Sequence, residues 1–226
     1  MKLVDTLAEQ ALLEQVIDAT KPVVPEECRH LHYLLATPFR YGAPYPIGSR
    51  FRRAGPTPGV FYASRTPATA VAEMAFHRLL FFADSPATPW PANPGEYTLF
   101  ASAIRTRAAI NLTRPPFDRD RARWTDPTDY AVCQQLADVA RDAAADVITY
   151  TSARDPGAGL NHAVLTCRPF AAVAPVEQQT WRLDLGPSGV RAVCAFPEAR
   201  LEFDRSTFAA DPRIAALHWE RRSSSA

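Results

Sequence analysis

Glycine is scarce in this chain of 226 residues, with 9 glycines against 21 prolines, and no Gly/Ser-rich linker interrupts it. Length alone allows one large domain or two small ones, at roughly 100–200 residues per domain. Without a linker, one domain over 1–226 is the expectation. No charge sign dominates either: 25 basic residues meet 24 acidic ones, for a formal net charge of +1. That excludes a global field drawing the chain to nucleic acid or anionic lipid, so any basic site must be local. Long apolar runs are missing as well. The N-terminal stretch MKLVDTLAEQALLEQVIDAT is broken by Asp5, Glu9 and Glu14, which leaves no secretory h-region and no membrane span, and a cytoplasmic chain is expected.

Cysteine is sparse. Cys28, Cys133, Cys167 and Cys194 are widely scattered, three of them among apolar neighbours, and read as reduced core residues rather than a disulfide framework. Cys28, His30 and His32 lie close together, but neither zinc-finger pair spacing nor HExxH is present, so no metal is expected. No GxSxG elbow surrounds Ser152, which argues against a serine hydrolase with His162 as base. GxGxxG and GxxxxGK[ST] are absent too, and the GAG at 157–159 has no lysine, which argues against a Rossmann cofactor or a kinase-type phosphate cradle.

What is present is an ordinary globular composition, 47% hydrophobic and 22% charged, enough to bury a sizeable core. Apolar positions at Leu3, Leu7 and Ala11, and again at Leu13, Val16 and Ile17, predict a helix over 4–18. HYLLA has strand-like content, and Pro38 is expected to hold Thr37 extended. The run 43–59, rich in proline and glycine, reads as loop with a short extended piece at Ser49–Arg52. Val60–Ala63 reads as a buried strand. Thr66 followed by Pro67 signals a helix start, running through about Phe82 with Ala70, Met74, His77 and Phe81 on one side.

Further on, EYTLFASAI and AAINL read as strands, and RPPFDRDRARWTDPTD, with mixed charges, as a solvated loop. Asp129 can cap a helix from Tyr130 to about Ala144. VITYT is a strand by its β-branched content, with ARDPGAGLN leaving its end. HAVLTC, TWRLDL and VRAVCAF continue as strands, the last two joined through GPSG as a hairpin. Strands that do not alternate strictly with helices favour α+β over a doubly wound sheet.

RYGAPYPIGSRFRRAGPTPGVFYASRTPATAVAE, from Arg40 to Glu73, gathers arginines, tyrosines and one carboxylate. Taken alone, RFRRAG is a solvated basic loop, Glu73 an exposed helix position or a partner of Arg78, and Ser152 a strand end. Yet Arg40 and Arg50 each sit beside an aromatic, and arginine offers planar recognition of phosphate together with stacking on rings.

In order, HYLLATPFRY, GSRFRRAG and GVFYASRTPATAVAE, followed by DVITYTSARDPGAGLN, resemble the RES-domain proteins, named for an arginine, a glutamate and a serine. The resemblance covers about residues 30–170. The trio would be Arg50, Glu73 and Ser152, with Arg40 and Tyr41 at the family's early Arg–Tyr position and Tyr62 before the helix. GSRF replaces the commoner GGRW. The N-terminal helix and the C-terminal hairpin region are additions to this core.

The resemblance implies an ADP-ribosyltransferase-like fold, similar to the diphtheria-toxin catalytic domain, with mixed sheets and flanking helices. It implies NAD as substrate rather than cofactor, and the activity of a toxin in a toxin–antitoxin pair, degrading NAD or transferring ADP-ribose. The partner it implies is an Xre-like antitoxin, with no direct nucleic-acid contact and no membrane; a homo-oligomer is compatible with it. Glu73 would face the ribose from which nicotinamide leaves, Arg40 and Arg50 would hold pyrophosphate and ribose, and Tyr41 and Tyr62 would flank the rings. Ser152 would bond the ribose or orient Arg50. Two other readings stand beside this one: a non-catalytic interaction module with the same residues as a polar core, and nucleic-acid binding through Arg50, Arg52, Arg53 and Arg65, which near-neutral charge disfavours.

Overall fold

The computed structural model describes residues 6–20, 22–40, 48–55 and 57–221. Tyr41, most of the proline-rich run before Gly48 and the last five residues lie outside them, so the expectations for Tyr41 and for the end of the chain are not addressed by the described residues. The strands are β1 Phe61–Ser64, β2 Gly95–Ala101, β3 Ala109–Asn111, β4 Val147–Thr151, β5 Leu160–Val164, β6 Glu177–Gly186, β7 Gly189–Cys194 and β8 Ala199–Asp204. The α-helices are α1 Leu7–Thr20, α2 Tyr33–Ala36, α3 Pro67–Asp84, α4 Arg121–Trp124, α5 Ala131–Asp142 and α6 Pro212–Ala215.

Two four-stranded sheets with flanking helices make the arrangement α+β, as expected: β1-β5-β4-β3 and β2-β6-β7-β8. Only β3 and β4 run parallel among these pairings. A parallel pair needs a long crossover, and here the crossover carries α4 and α5. Three apolar clusters hold the layers. α3 buries Val71, Phe76 and Leu79 against Trp181 and Phe203 of the second sheet. α5 buries Cys133, Ala137 and Ala140 with Ile148 and Tyr150 of the first sheet and with Phe51. Leu35, Phe39 and Phe61 form the third, around the N-terminal segment.

α3 follows its sequence signal closely. Thr66 caps it, its Oγ1 accepting from Thr69 N at 3.3 Å, and Pro67 occupies the first turn. The side carrying Met74, His77 and Phe81 is the outer one, with Met74 40% and Phe81 46% exposed. β2, β3, β4 and the β6–β7 hairpin form where expected. β5 begins two residues earlier than HAVLTC and stops at Val164, and β8 completes the second sheet from ARLEFD, for which no strand was expected.

Four expectations are corrected. HYLLA is helical, not a strand: His32 caps it, its Nδ1 accepting from Leu34 N at 3.3 Å. Thr37 is then not extended but helical, at φ −53 and ψ −42, because Pro38 begins a new 3₁₀ turn, Thr37–Arg40. Thr37 Oγ1 also donates to Tyr33 O at 2.6 Å and joins the two turns. Cys28 and Cys167 are paired as a disulfide, Cα to Cα 5.5 Å across 139 residues of sequence, while Cys133 and Cys194 are free and buried. A separation that long leaves no spacing to read. Finally, RPPFDRDRARWTDPTD is more than a solvated loop: it holds a 3₁₀ turn and α4, and buries Trp124, whose Nε1 donates to Phe117 O at 2.8 Å.

Candidate functional site

Glu73 stands on α3, one turn beyond Thr69 and three residues before Phe76, and all three side chains meet the segment that leaves β4. Ser152 directly follows that strand and donates its hydroxyl proton to Glu73 Oε1 at 2.7 Å. The same hydroxyl accepts the amides of Arg154, at 3.0 Å, and Asp155, at 2.9 Å, a local serine turn of the kind that competes with regular structure. Asp155 Oδ2 accepts from Thr69 Oγ1 at 2.8 Å and from Gly159 N at 3.1 Å. The Arg154 guanidinium lies over the Phe76 ring at 3.9 Å. Three positions on one face of α3, Thr69, Glu73 and Phe76, thus meet Asp155, Ser152 and Arg154 of the loop.

A second donor reaches the same carboxylate oxygen. Asn161, buried on β5, gives its Nδ2 proton to Glu73 Oε1 at 2.6 Å, while its Oδ1 accepts from Ser64 Oγ at 2.7 Å. Both side-chain donors therefore converge on Oε1. Among the described residues Oε2 receives no donor, so half of the carboxylate is held and half is presented.

Arg50 sits in a tight turn closed by Ser49 N to Arg52 O at 2.7 Å and fastened to α5 by Gln134 Nε2, which donates to both carbonyls. It is only 8% exposed. Its Nη1 donates to Trp124 O at 2.7 Å and its Nη2 to Asp126 O at 2.9 Å, and the guanidinium lies 4.7 Å from the centre of the Tyr130 ring. These carbonyls belong to the crossover. Arg50 also lowers the proton affinity of Tyr150, whose hydroxyl is pushed well above the ordinary tyrosine value by burial and by Tyr62 and Glu73, against Arg50 and a bond to Asn161. Arg50 and Glu73 therefore share an electrostatic neighbourhood, and Tyr150 stays protonated within it.

Tyr62 is 39% exposed, yet its hydroxyl is enclosed: it pairs with Ser49 Oγ at 2.8 Å and accepts Phe51 N at 2.9 Å. Burial of that hydroxyl raises its proton affinity, against Ser49, Phe51 and the charges of Arg50 and Arg141. Its hydroxyl thus braces the Arg50 turn, and only the ring is left to face a ligand. Arg40 ends the Thr37–Arg40 turn; its Nε is buried without a hydrogen-bond partner among the described residues. Ser152 has Glu73 and two backbone amides as partners, so it orients the glutamate rather than Arg50.

The structure thus brings Glu73 and Ser152 into contact, sets Arg50 in a separate turn braced by the hydroxyl of Tyr62 from β1, and leaves Arg40 on its own segment. Sequence reasoning missed Asn161, Arg154 and Asp155. Asn161 had a signal: it shares the β5 face of Ala163, where a polar side chain needs a partner. Arg154 and Asp155 follow Ser152 directly in TSARDPGAGLN. A groove of about 430 Å³ opens by the β6–β7 turn, lined by Trp90, Asp184, Arg191 and Glu202 among others, but Arg50, Glu73 and Ser152 do not line it.

Fold and site together define an α+β protein with one carboxylate clamped on a single oxygen beside a buried, ring-stacked arginine. The RES domain family model matches residues 24–186, and the chain belongs to that family, which is associated with NAD-related toxin activity. No curated protein matches the chain at a significant level.

Proposed function

We propose that the protein consumes NAD, cleaving the bond between nicotinamide and ribose, on a fold of the ADP-ribosyltransferase kind. The observation that carries the reading is the one-sided clamp on Glu73: Ser152 and Asn161 both donate to Oε1, leaving Oε2 to meet a substrate. In the reaction the C1′–N bond breaks, its electron pair stays on nicotinamide, which leaves neutral, and positive charge develops on the ribose. A fixed carboxylate stabilises that charge and can accept a hydroxyl proton from the sugar, as in glycoside cleavage. Arg50 and Arg40 bind the pyrophosphate and ribose, Tyr62 and Tyr41 flank the rings, and water, phosphate or a protein side chain takes the ADP-ribose. In the cell the protein is then the toxin of a toxin–antitoxin pair, held by an Xre-like antitoxin.

The test is nicotinamide release from NAD by purified protein, with and without phosphate. Wild type is expected to release nicotinamide, and Glu73→Gln to lose activity by on the order of 10²–10³-fold. An inert wild type, or a fully active Glu73→Gln, sinks the reading.

One observation favours a second reading, a non-catalytic interaction module. Two of the Arg50 donors are already spent on carbonyls, and Glu73 is bonded within the protein, as in a structural polar core. Calorimetry separates the two: no heat with NAD, together with strong destabilisation of Glu73→Ala, selects the module.

A further inference from the structure

The residues beyond 186 lie outside the family match, yet one of them reaches the site. Asp211, 1% exposed, caps α6 by accepting Arg213 N at 3.0 Å and pairs with the Arg213 guanidinium at 2.7 Å. Its Oδ2 also lies 3.1 Å from Nη1 of Arg154, whose side chain is 6% exposed. Arg154 in turn links the Ser152 turn to α3 and to the crossover. Its amide holds Ser152 Oγ, its guanidinium covers Phe76 of α3, and its Nη2 donates to Pro127 O and to the Tyr130 hydroxyl. Tyr130 is the ring beneath Arg50.

We propose that Asp211 is a positioning residue for the site: as buried counter-ion of Arg154, it locks the 152–155 turn so that Ser152 orients Glu73 and Tyr130 seats Arg50. The activity part of this inference rests on the NAD-cleaving reading above; the conformational part does not. A buried guanidinium that loses its only carboxylate partner among the described residues is strongly unfavourable and turns toward water, dragging the Arg154 and Asp155 amides off Ser152. The C-terminal additions then do more than complete the second sheet. They supply the charge that makes the catalytic turn rigid.

Asp211→Asn tests this, because asparagine caps a helix about as well as aspartate and only the charge is lost. Arg213→Ala is the control: it removes the other partner of Asp211 and keeps the Arg154 pair. The first readout is amide hydrogen exchange at Arg154 and Asp155, expected to accelerate about tenfold or more in Asp211→Asn and to stay near wild type in Arg213→Ala. The second is NAD cleavage, where kcat is expected to fall on the order of tenfold with a smaller change in KM, since the geometry of the carboxylate is what is lost. Unchanged exchange in a folded Asp211→Asn overturns the proposal, as does accelerated exchange with wild-type kcat and KM. If wild-type protein is inert toward NAD while exchange responds as expected, the NAD reading fails and the lock on the turn stands.

Discussion

At the scale of single residues, the proposed chemistry depends on a proton donated in one direction. Ser152 has one hydroxyl hydrogen; two backbone amides occupy its lone pairs, so that hydrogen is directed at Glu73 Oε1. Ser152→Ala removes the donor and leaves two enclosed amides unpaired, a loss of about 1–3 kcal/mol in stability. On the NAD-cleaving reading proposed above, nicotinamide release is expected to fall on the order of 10²-fold, since a displaced carboxylate would no longer meet the developing charge. Thermal melts and turnover on the same preparation check both; a variant that loses stability but keeps turnover contradicts the directing role. The family resemblance singled out Arg50, Glu73 and Ser152; the bond from Ser152 to Glu73 is what the structure adds. The seats of Arg50 were not legible in the sequence: Trp124 O and Asp126 O are backbone carbonyls, and every residue type has one.

At the scale of elements, α3 and the loop after β4 meet without a spare atom. A Cβ on Gly159 would lie 2.1 Å from Thr69 Oγ1 and 2.5 Å from Asp155 Oδ2, inside the bond that fastens the first turn of α3. Gly159→Ala must break that bond or shift the loop, and is expected to destabilise by about 1–3 kcal/mol, measurable as a lower denaturant midpoint. An unchanged midpoint would mean the loop gives way freely. The start of α3 was readable because capping chemistry is local: hydroxyl, then proline. The HYLLA segment misled because four residues are too few to separate helix from strand by pattern, and the capping imidazole of His32 decides it. α6 had a comparable signal in Asp211–Pro212, an acceptor followed by proline, but nothing local marks that acceptor as buried against Arg154.

At the scale of the whole molecule, the two ends of β4 carry different polar groups with different duties. Ser152 follows one end. At the other, Asp146 accepts from Thr106 and Thr166 Oγ1, both at 2.7 Å, and from Arg168 Nε at 2.9 Å. Burial alone would raise its carboxyl; the bonds from Thr106, Thr166 and Arg168 outweigh that and leave it below the ordinary aspartate value. Asp211 is lowered in the same way, burial being outweighed by Arg213 and Arg154. A carboxyl depressed in the folded state contributes stability that is complete above its unfolded value and disappears as pH falls through the folded one. Asp146→Asn is therefore expected to be less stable than wild type at neutral pH and to converge with it below the normal carboxylate range. Melting curves from pH 7 downward test this; a gap that stays constant with pH would assign the effect to something other than the charge.

The polar centre also has an order of arrival. Arg50 waits for carbonyls 74 and 76 residues later in the chain, and Glu73 for donors 79 and 88 residues later. Such contacts close only after most of the loop entropy between them has been spent. During synthesis the carboxylate therefore leaves the ribosome long before Ser152 and Asn161 exist to hold it. A partly made chain has the helix but not the clamp, which closes only once Asn161 is out.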